Sequence, residues 1–389
     1  MMKVLFLVYH GFSEASGISK KIHYQVKGLR ENGYEVHLCY YDFTPNGHKC
    51  RFVDGKVIKD YGRSFFAGFL QRIDYDCIYK YCKKHEIQFV YARCFQNANP
   101  FLTHFFKKLR KLGVKTVTEI PTYPYDQEFV GFPYFSGRFW LRFDKIFRSA
   151  LYKQMNAIVT FSDEKVIFGQ RTIRISNGVD FEAIPLHCYN PSADGSIHLI
   201  GVAEVHYWHG FDRLIAGLGE YYKNTESPRQ VYFHIVGGVA QNEMHGSIHA
   251  LGFAELISRY NIQKYVIFHS QLFGDELNTV FNQCCFAIGS LARHRSGITV
   301  IKALKNREYA TRGIPFIYSE QDSDFDKQPY ILKAAPDESP INIMQILDFI
   351  DNHQFKPEEI RKSIEYLSWK KQMKCVIEGV QKLVDSDKR

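Results

Sequence analysis

Apolar residues in this chain gather into short continuous runs separated by longer amphipathic stretches. Lys3 to Tyr9, Tyr34 to Tyr41, Ile87 to Ala92, Val114 to Ile120 and Ala157 to Phe161 are such runs. The first, Lys3 to Tyr9, is nearly continuous, as a strand of a parallel sheet covered on both faces should be. Between them, Ser19 to Asn32, one or two segments within Ser64 to Glu86, and Pro100 to Leu112 repeat their apolar residues at helical spacing. Gly33 and Gly113 stand where left-handed caps end helices. After a strand at Thr172 to Ile175, the alternation restarts at Ile197 to Val202 and continues through Val231 to Val236, Val266 to His269, Cys285 to Leu291 and Ile314 to Tyr318. Pro340 to Phe349 and Pro357 to Val384 read as helices. Strand-helix alternation in two blocks predicts an α/β protein with two parallel sheets. The Pro/Ser/Asn/Gly-containing stretch 185–196 divides residues 1–184 from residues 185–365, leaving 366–389 as a terminal segment.

In such sheets ligands meet the loops at the carboxyl ends of the strands. Residues 285–318 read as one βαβ unit, with a helix predicted from Thr299 and stopped by Gly313 and Pro315. On that helix Ile301, Lys305 and Glu308 share one face. Arg293, His294 and Arg295 precede it and Arg307 lies on it, so its start reads as an anion site. A carboxylate one or two turns along suits a ribose diol. Any one of these residues also fits an ordinary solvated helix; their combination at the sheet edge favours a ligand. In the first block, the small-residue loop GFSEASGIS around Gly17 and the loop EIPTYPYDQE lie at the same kind of edge. Glu119, Tyr123, Tyr125 and Asp126 are candidates to meet a ligand there, with a rigid packing loop as the equal alternative. Residues 129–153 interleave aromatics with Arg138, Arg142, Lys145, Arg148 and Lys153. That suits a helix on anionic lipid or against a lipid-linked acceptor, and equally a packed helix with a solvated basic face.

Composition narrows the partners. A formal net charge of +9 favours anionic ligands such as nucleotide diphosphates, or an acidic membrane surface. No recognition module surrounds the basic stretches, so nucleic acid is not expected. Nine cysteines lack a C-x-x-C pair or metal-ligand spacing with histidine, which predicts a reduced, cytoplasmic chain without a metal site. The first apolar run is too short to span a membrane and lacks a cleavage site; any membrane contact would be peripheral, at the inner face, through 129–153. With no G-x-G-x-x-G, a dinucleotide oxidoreductase loses its best support.

LKNREYATRGIPFI, Leu304 to Ile317, resembles the nucleotide-sugar helix of retaining GT-B glycosyltransferases of the family-4 type. Glu308, Gly313 and Pro315 match the second half of that motif; its first glutamate is replaced by Val300. The Lys305/Arg307 pair is similar to a variant written L-K-x-R-E-Y. RISNGVDFEAIP, Arg174 to Pro185, resembles the phrase that leaves the first domain in that family. Gly17-Ile18-Ser19 resembles its glycine loop, and Gly237-Gly238 its second glycine turn. Ala203-Glu204 and His209-Gly210 stand where the family places its diphosphate cations. The resemblance implies two Rossmann-like domains facing across a cleft, with a C-terminal helix from Leu367-Ser368-Trp369 crossing back to the first. It implies a metal-independent retaining hexosyltransferase using a nucleoside-diphosphate sugar as substrate, no separate cofactor, and a glycan or lipid-linked acceptor in surface polysaccharide or glycoconjugate synthesis. Donor contacts would come from Gly17, His209, His294, Lys305, Arg307 and Glu308, and the acceptor side from Glu119, Tyr125 and Asp126. The rival readings are a sugar-nucleotide epimerase of the same fold and a non-catalytic scaffold subunit.

Overall fold

The computed structural model describes the chain except residues 14–15, 94–95, 127–134, 240–243, 246–251 and 387–389, and the side chains of 135–138 and 140. It divides into two compact units, Met1–Gly178 with Leu367–Arg389, and Val179–Tyr366.

The first unit is built on a nine-stranded sheet. Its strands are β1 (Lys3–Leu7), β2 (Glu35–Phe43), β3 (Lys49–Val53), β4 (Lys56–Asp60), β5 (Phe89–Ala92), β6 (Lys115–Ile120), β7 (Ala157–Thr160), β8 (Val166–Ile167) and β9 (Gln170–Arg174). Their order is β4-β3-β2-β1-β5-β6-β7-β9-β8. The pairs from β2 through β9 are parallel, while β3, β4 and β8 join antiparallel at the edges. Val4 to Val8 of the first apolar run are fully buried, as a strand with helices on both faces requires.

The second unit holds a wholly parallel sheet of β10 (Ile197–Val202), β11 (Val231–Val236), β12 (Val266–His269), β13 (Phe286–Ile288), β14 (Phe316–Tyr318) and β15 (Ile331–Lys333). The order is β12-β11-β10-β13-β14-β15.

The C-terminal helix, Trp369–Ser386, returns to the first unit as expected. It buries Trp369, Met373, Val376 and Val380 in that unit's core. Asn32 Nδ2 donates to the Lys370 carbonyl at 2.8 Å. Gly28 permits the approach: a Cβ there would meet the Trp369 carbonyl oxygen at 2.7 Å.

Three expectations need correcting. The stretch Pro357 to Val384 is two helices, Pro357–Ser363 and Trp369–Ser386, parted by a turn at Glu365–Leu367. The helix placed from Thr299 begins at Leu304 and runs to Arg312. Thr299, Val300 and Ile301 are β-branched in succession, which favours extended backbone, and Val300 pairs with Gln321 as an isolated parallel bridge. Ile301 therefore shares no helical face with Lys305. The strand placed at Cys285 to Leu291 is confined to Phe286–Ile288. The predicted stop holds: Gly313 is left-handed at φ 80°. The segment 129–153 falls partly outside the described residues; the helix it contains is Phe135–Tyr152.

Candidate functional site

In the second unit the Leu304–Arg312 helix starts just beyond the carboxyl ends of β10 and β13. Tyr309 fixes it there: its hydroxyl donates to the Ile288 carbonyl and accepts from the Val202 amide, both at 3.1 Å. Successive helical residues turn about 100°, so Lys305 and Glu308 lie on one side and Arg307 on nearly the opposite one.

That geometry separates the two cations of the L-K-x-R-E-Y phrase. Arg307 is fully buried and paired with Asp322 and Asp324. Two carboxylates already neutralise it, so it is removed from the anion-binding group in which the sequence placed it. Lys305 differs. Its ammonium nitrogen is buried and has no hydrogen-bond partner, standing 5.6 Å from the centroid of the Phe211 ring. Burial lowers its pKa to about 7; nearby Glu320 opposes the shift and Arg293 adds to it.

Around this amine gather other unfulfilled groups. Glu320, buried two residues past β14, accepts from Asn306 Nδ2 at 3.1 Å through Oε1, whereas its Oε2 and the Asn306 Oδ1 are buried without partners. Burial raises the Glu320 pKa. Buried polar atoms are nearly always satisfied, so three at one helix start mark a place built for something else. Glu320 and Asn306 escaped the sequence reading; their only signal is proximity to the carboxyl edge.

His209 sits beside them at the end of the turn after β10. Its Nδ1 accepts the His206 amide at 2.9 Å, which puts the ring proton on Nε2. Burial, then Lys305 and Arg293, push its pKa far down, so it is a neutral donor and carries no charge at physiological pH. Gly210 follows it at φ 66°, where a Cβ would lie 2.8 Å from Ala292; the two edge loops close on each other there.

The Arg293–Ser296 turn is less available than the sequence suggested. Arg295 is held by Asp212 at 2.7 Å and by Glu338. His294 Nε2 lies 2.7 Å from Glu338 Oε1. Those contacts hold the Glu338 carboxyl down at about 2 and occupy both side chains. The Arg293 guanidinium lies 5.5 Å from the Trp208 ring centroid.

Glu308 is half-buried, and both contacts from Arg312, at 3.1 and 3.0 Å, fall on its Oε1. Arg312 is itself anchored by Asn278 at 2.8 Å. The carboxylate is thus presented by a fixed cation on the same side as Lys305.

In the first unit the predicted acceptor-side residues are drawn inward. Glu119, on β6, is fully buried. Gln25 Nε2 and the Tyr91 hydroxyl donate to its Oε2 at 2.6 and 2.5 Å. Lys21 Nζ and Arg93 Nε approach Oε1 as ions, at 3.0 and 3.1 Å. Despite its burial, those partners bring its pKa down to about 2. The network is buried, with ion pairs rather than hydrogen bonds meeting Oε1, and the Glu119 side chain has no exposed surface. Tyr125 is likewise buried and donates to Asp144 at 2.6 Å; burial and that carboxylate raise its pKa. Asp126 is paired with Arg148 at 2.8 Å and Lys145 at 3.1 Å. In this structure all three are engaged by partners within the first unit, Asp126 staying partly exposed. Gly17 is exposed as the first residue of the Gly17–Glu31 helix, whose Ser16 cap accepts the Ser19 amide.

No family model matches the chain, and no curated protein matches it. Solved structures share its fold. A sucrose-phosphate synthase from Thermosynechococcus elongatus matches with TM-score 0.64 and 13% identity, over 99% of this chain and 100% of that one. The catalytic domain of starch synthase IV from Arabidopsis thaliana, bound to ADP and acarbose, gives 0.58 and 11% over 99% of each. HepE of Anabaena, in complex with UDP-glucose, gives 0.56 and 13% over 99% and 100%. The fold is the two-domain α/β fold of GT-B glycosyltransferases.

Proposed function

We propose that the chain transfers a glycosyl group from a nucleoside-diphosphate sugar to an acceptor hydroxyl. The observation that carries this reading is the buried Lys305 ammonium, without a partner at a helix start and on one face with the half-buried Glu308 carboxylate. Lys305 and the first amides of its helix would meet the diphosphate, His209 would donate one neutral hydrogen bond, and the Glu308 carboxylate would accept the ribose hydroxyls.

In the reaction the bond from the anomeric carbon to the diphosphate oxygen breaks and a bond to the acceptor oxygen forms. The electron pair leaves with the diphosphate, and the acceptor hydroxyl gives up its proton. Negative charge grows on the leaving oxygen, where a preorganised cation in a dry site contributes most. An ammonium with a pKa of about 7 also has a proton to share with that oxygen at neutral pH. The resemblance adds retention at the anomeric carbon and a metal-independent route.

The test is a thermal-shift and calorimetric screen of UDP-, GDP- and ADP-sugars, followed by product analysis. Binding of one base, lost in Glu308→Ala, supports the reading. An epimerised donor with no transfer product assigns the site to a sugar-nucleotide epimerase. The scaffold reading draws on Ala203-Glu204 standing where the family has cations, and binding of no nucleotide sugar favours it.

A further inference from the structure

The first unit has a recess that donor chemistry leaves unused. A cavity of about 220 Å³ opens at the carboxyl ends of β1, β2 and β5, walled by His10, Asp42, Lys49, Arg72 and Asn97. The loop after β1 folds tightly over it: a Cβ at Gly11 would come within 2.9 Å of the Asp42 carboxylate. A second cavity of about 240 Å³ adjoins it, walled by Phe69, Ile73, Phe101, Phe139 and Phe143. Arg72 and Asn97 line both, so polar hollow and apolar hollow meet across one guanidinium and one amide.

The apolar side is costly to leave wet. Phe69, Phe101 and Phe139 are 51, 53 and 53% exposed, although a Phe side chain gains about 1.5–3 kcal/mol on burial. Exposed aromatics grouped around a concavity mark a binding surface.

The geometry points to a site for a single-chain amphiphile: an anionic phosphate beside Arg72 and Lys49, and a hydrocarbon tail among the four phenylalanines. Resting on the glycosyltransferase reading, this makes the acceptor a hydroxyl compound carried on a lipid-linked phosphate, held here by that phosphate and its tail. The charge at the junction suits that head, since Arg72 and Lys49 outnumber Asp42 and guanidinium pairs well with phosphate. A dry cavity of about 150 Å³ holds a benzene-sized molecule, so 240 Å³ takes roughly ten carbons, the first two isoprene units of a prenyl tail, with the remainder leaving by the open mouth. A bilayer face would present no single tail to a hollow this narrow.

The experiment titrates farnesyl phosphate, farnesol and inorganic phosphate into wild-type protein, Phe101→Asp and Arg72→Gln, by calorimetry below micellar concentrations. Farnesyl phosphate should bind the wild type far more tightly than inorganic phosphate does. Phe101→Asp, at an exposed position, should weaken it at least about tenfold. Arg72→Gln should erase most of the preference for farnesyl phosphate over farnesol. Equal affinities for farnesyl and inorganic phosphate in the wild type, or unchanged binding in Phe101→Asp, would overturn the inference. So would binding only to anionic vesicles, equal in both proteins. A nucleotide-sugar titration of Phe101→Asp serves as control and should match the wild type. If the sugar nucleotide binds and farnesyl phosphate does not, this inference alone falls; if only farnesyl phosphate binds, the transferase reading falls and the amphiphile site stands.

Discussion

Lys305→Met should stabilise the ligand-free protein and weaken its grip on a diphosphate. The ammonium's pKa is brought from 10.5 to about 7, chiefly by burial. At about 1.4 kcal/mol for each tenfold change in proton affinity, that sets a ceiling near 5 kcal/mol on what the buried charge costs at pH 6. Relaxation and water entry reduce this, and about 1–2 kcal/mol is the expected gain from a methionine of similar shape. The sign follows from proton binding. Between about pH 7 and 10.5 the unfolded chain holds the proton and the folded chain does not, so wild-type stability rises with pH through that window. Lys305→Met should lack that slope. In a domain of this size the gain appears as roughly 2–8 °C in Tm at pH 6, read by scanning calorimetry. The same variant should lose about 1.5–3 kcal/mol of nucleotide-sugar binding, the worth of a charge-assisted contact, or roughly 10- to 150-fold in Kd. A lowered Tm with unchanged donor affinity would refute the reasoning, since it would make the lysine a structural element with no ligand.

Other outcomes follow from the same structure. Wild-type donor affinity should be greatest below about pH 7, where Lys305 is charged, and decline above it by up to tenfold per pH unit; calorimetry from pH 6 to 9 shows whether the decline disappears in Lys305→Met. Glu308→Ala should raise the donor Kd about tenfold or more, and Glu308→Gln less, because the amide still accepts one hydrogen bond. Glu119→Gln leaves Lys21 and Arg93 buried without their counter-ion and should cost about 3 kcal/mol or more by urea unfolding. The Glu119 pKa is depressed to about 2, so its contribution is complete above the ordinary carboxylate range and is lost as pH falls toward 2. Gly178→Ala, whose Cβ would stand 2.6 Å from the Trp369 ring, should lower Tm by disturbing the seat of the C-terminal helix, by about 1–3 kcal/mol.

Much of the fold is legible because strands buried on both faces are apolar; Val4 to Val8 and Phe286 to Ile288 say so directly. The β3–β4 hairpin is written in its turn, Asp54-Gly55, both at positive φ, a strong local signal that the apolar pattern alone does not carry. The start of the Leu304–Arg312 helix is hard to read because apolar Val300 and Ile301 continue a helical spacing while their branching favours a strand. The site was harder. Charge and spacing mark Lys305, Arg307, His294 and Glu119 alike as chemistry, and only the partners separate them. Asp322, Asp324, Glu338 and Lys21 come from elsewhere in the chain, and no local pattern announces such pairings. Glu320 is visible only through what it lacks.

The central claim is that the Leu304–Arg312 helix holds a nucleoside diphosphate. Its most direct measurement is a calorimetric titration of wild-type protein, Lys305→Met and Glu308→Ala with the nucleotide sugars at pH 7. The account predicts one saturable site for one base, weakened in both variants while each stays folded. No binding of any nucleotide sugar by the wild type, or binding indifferent to both substitutions, would contradict it.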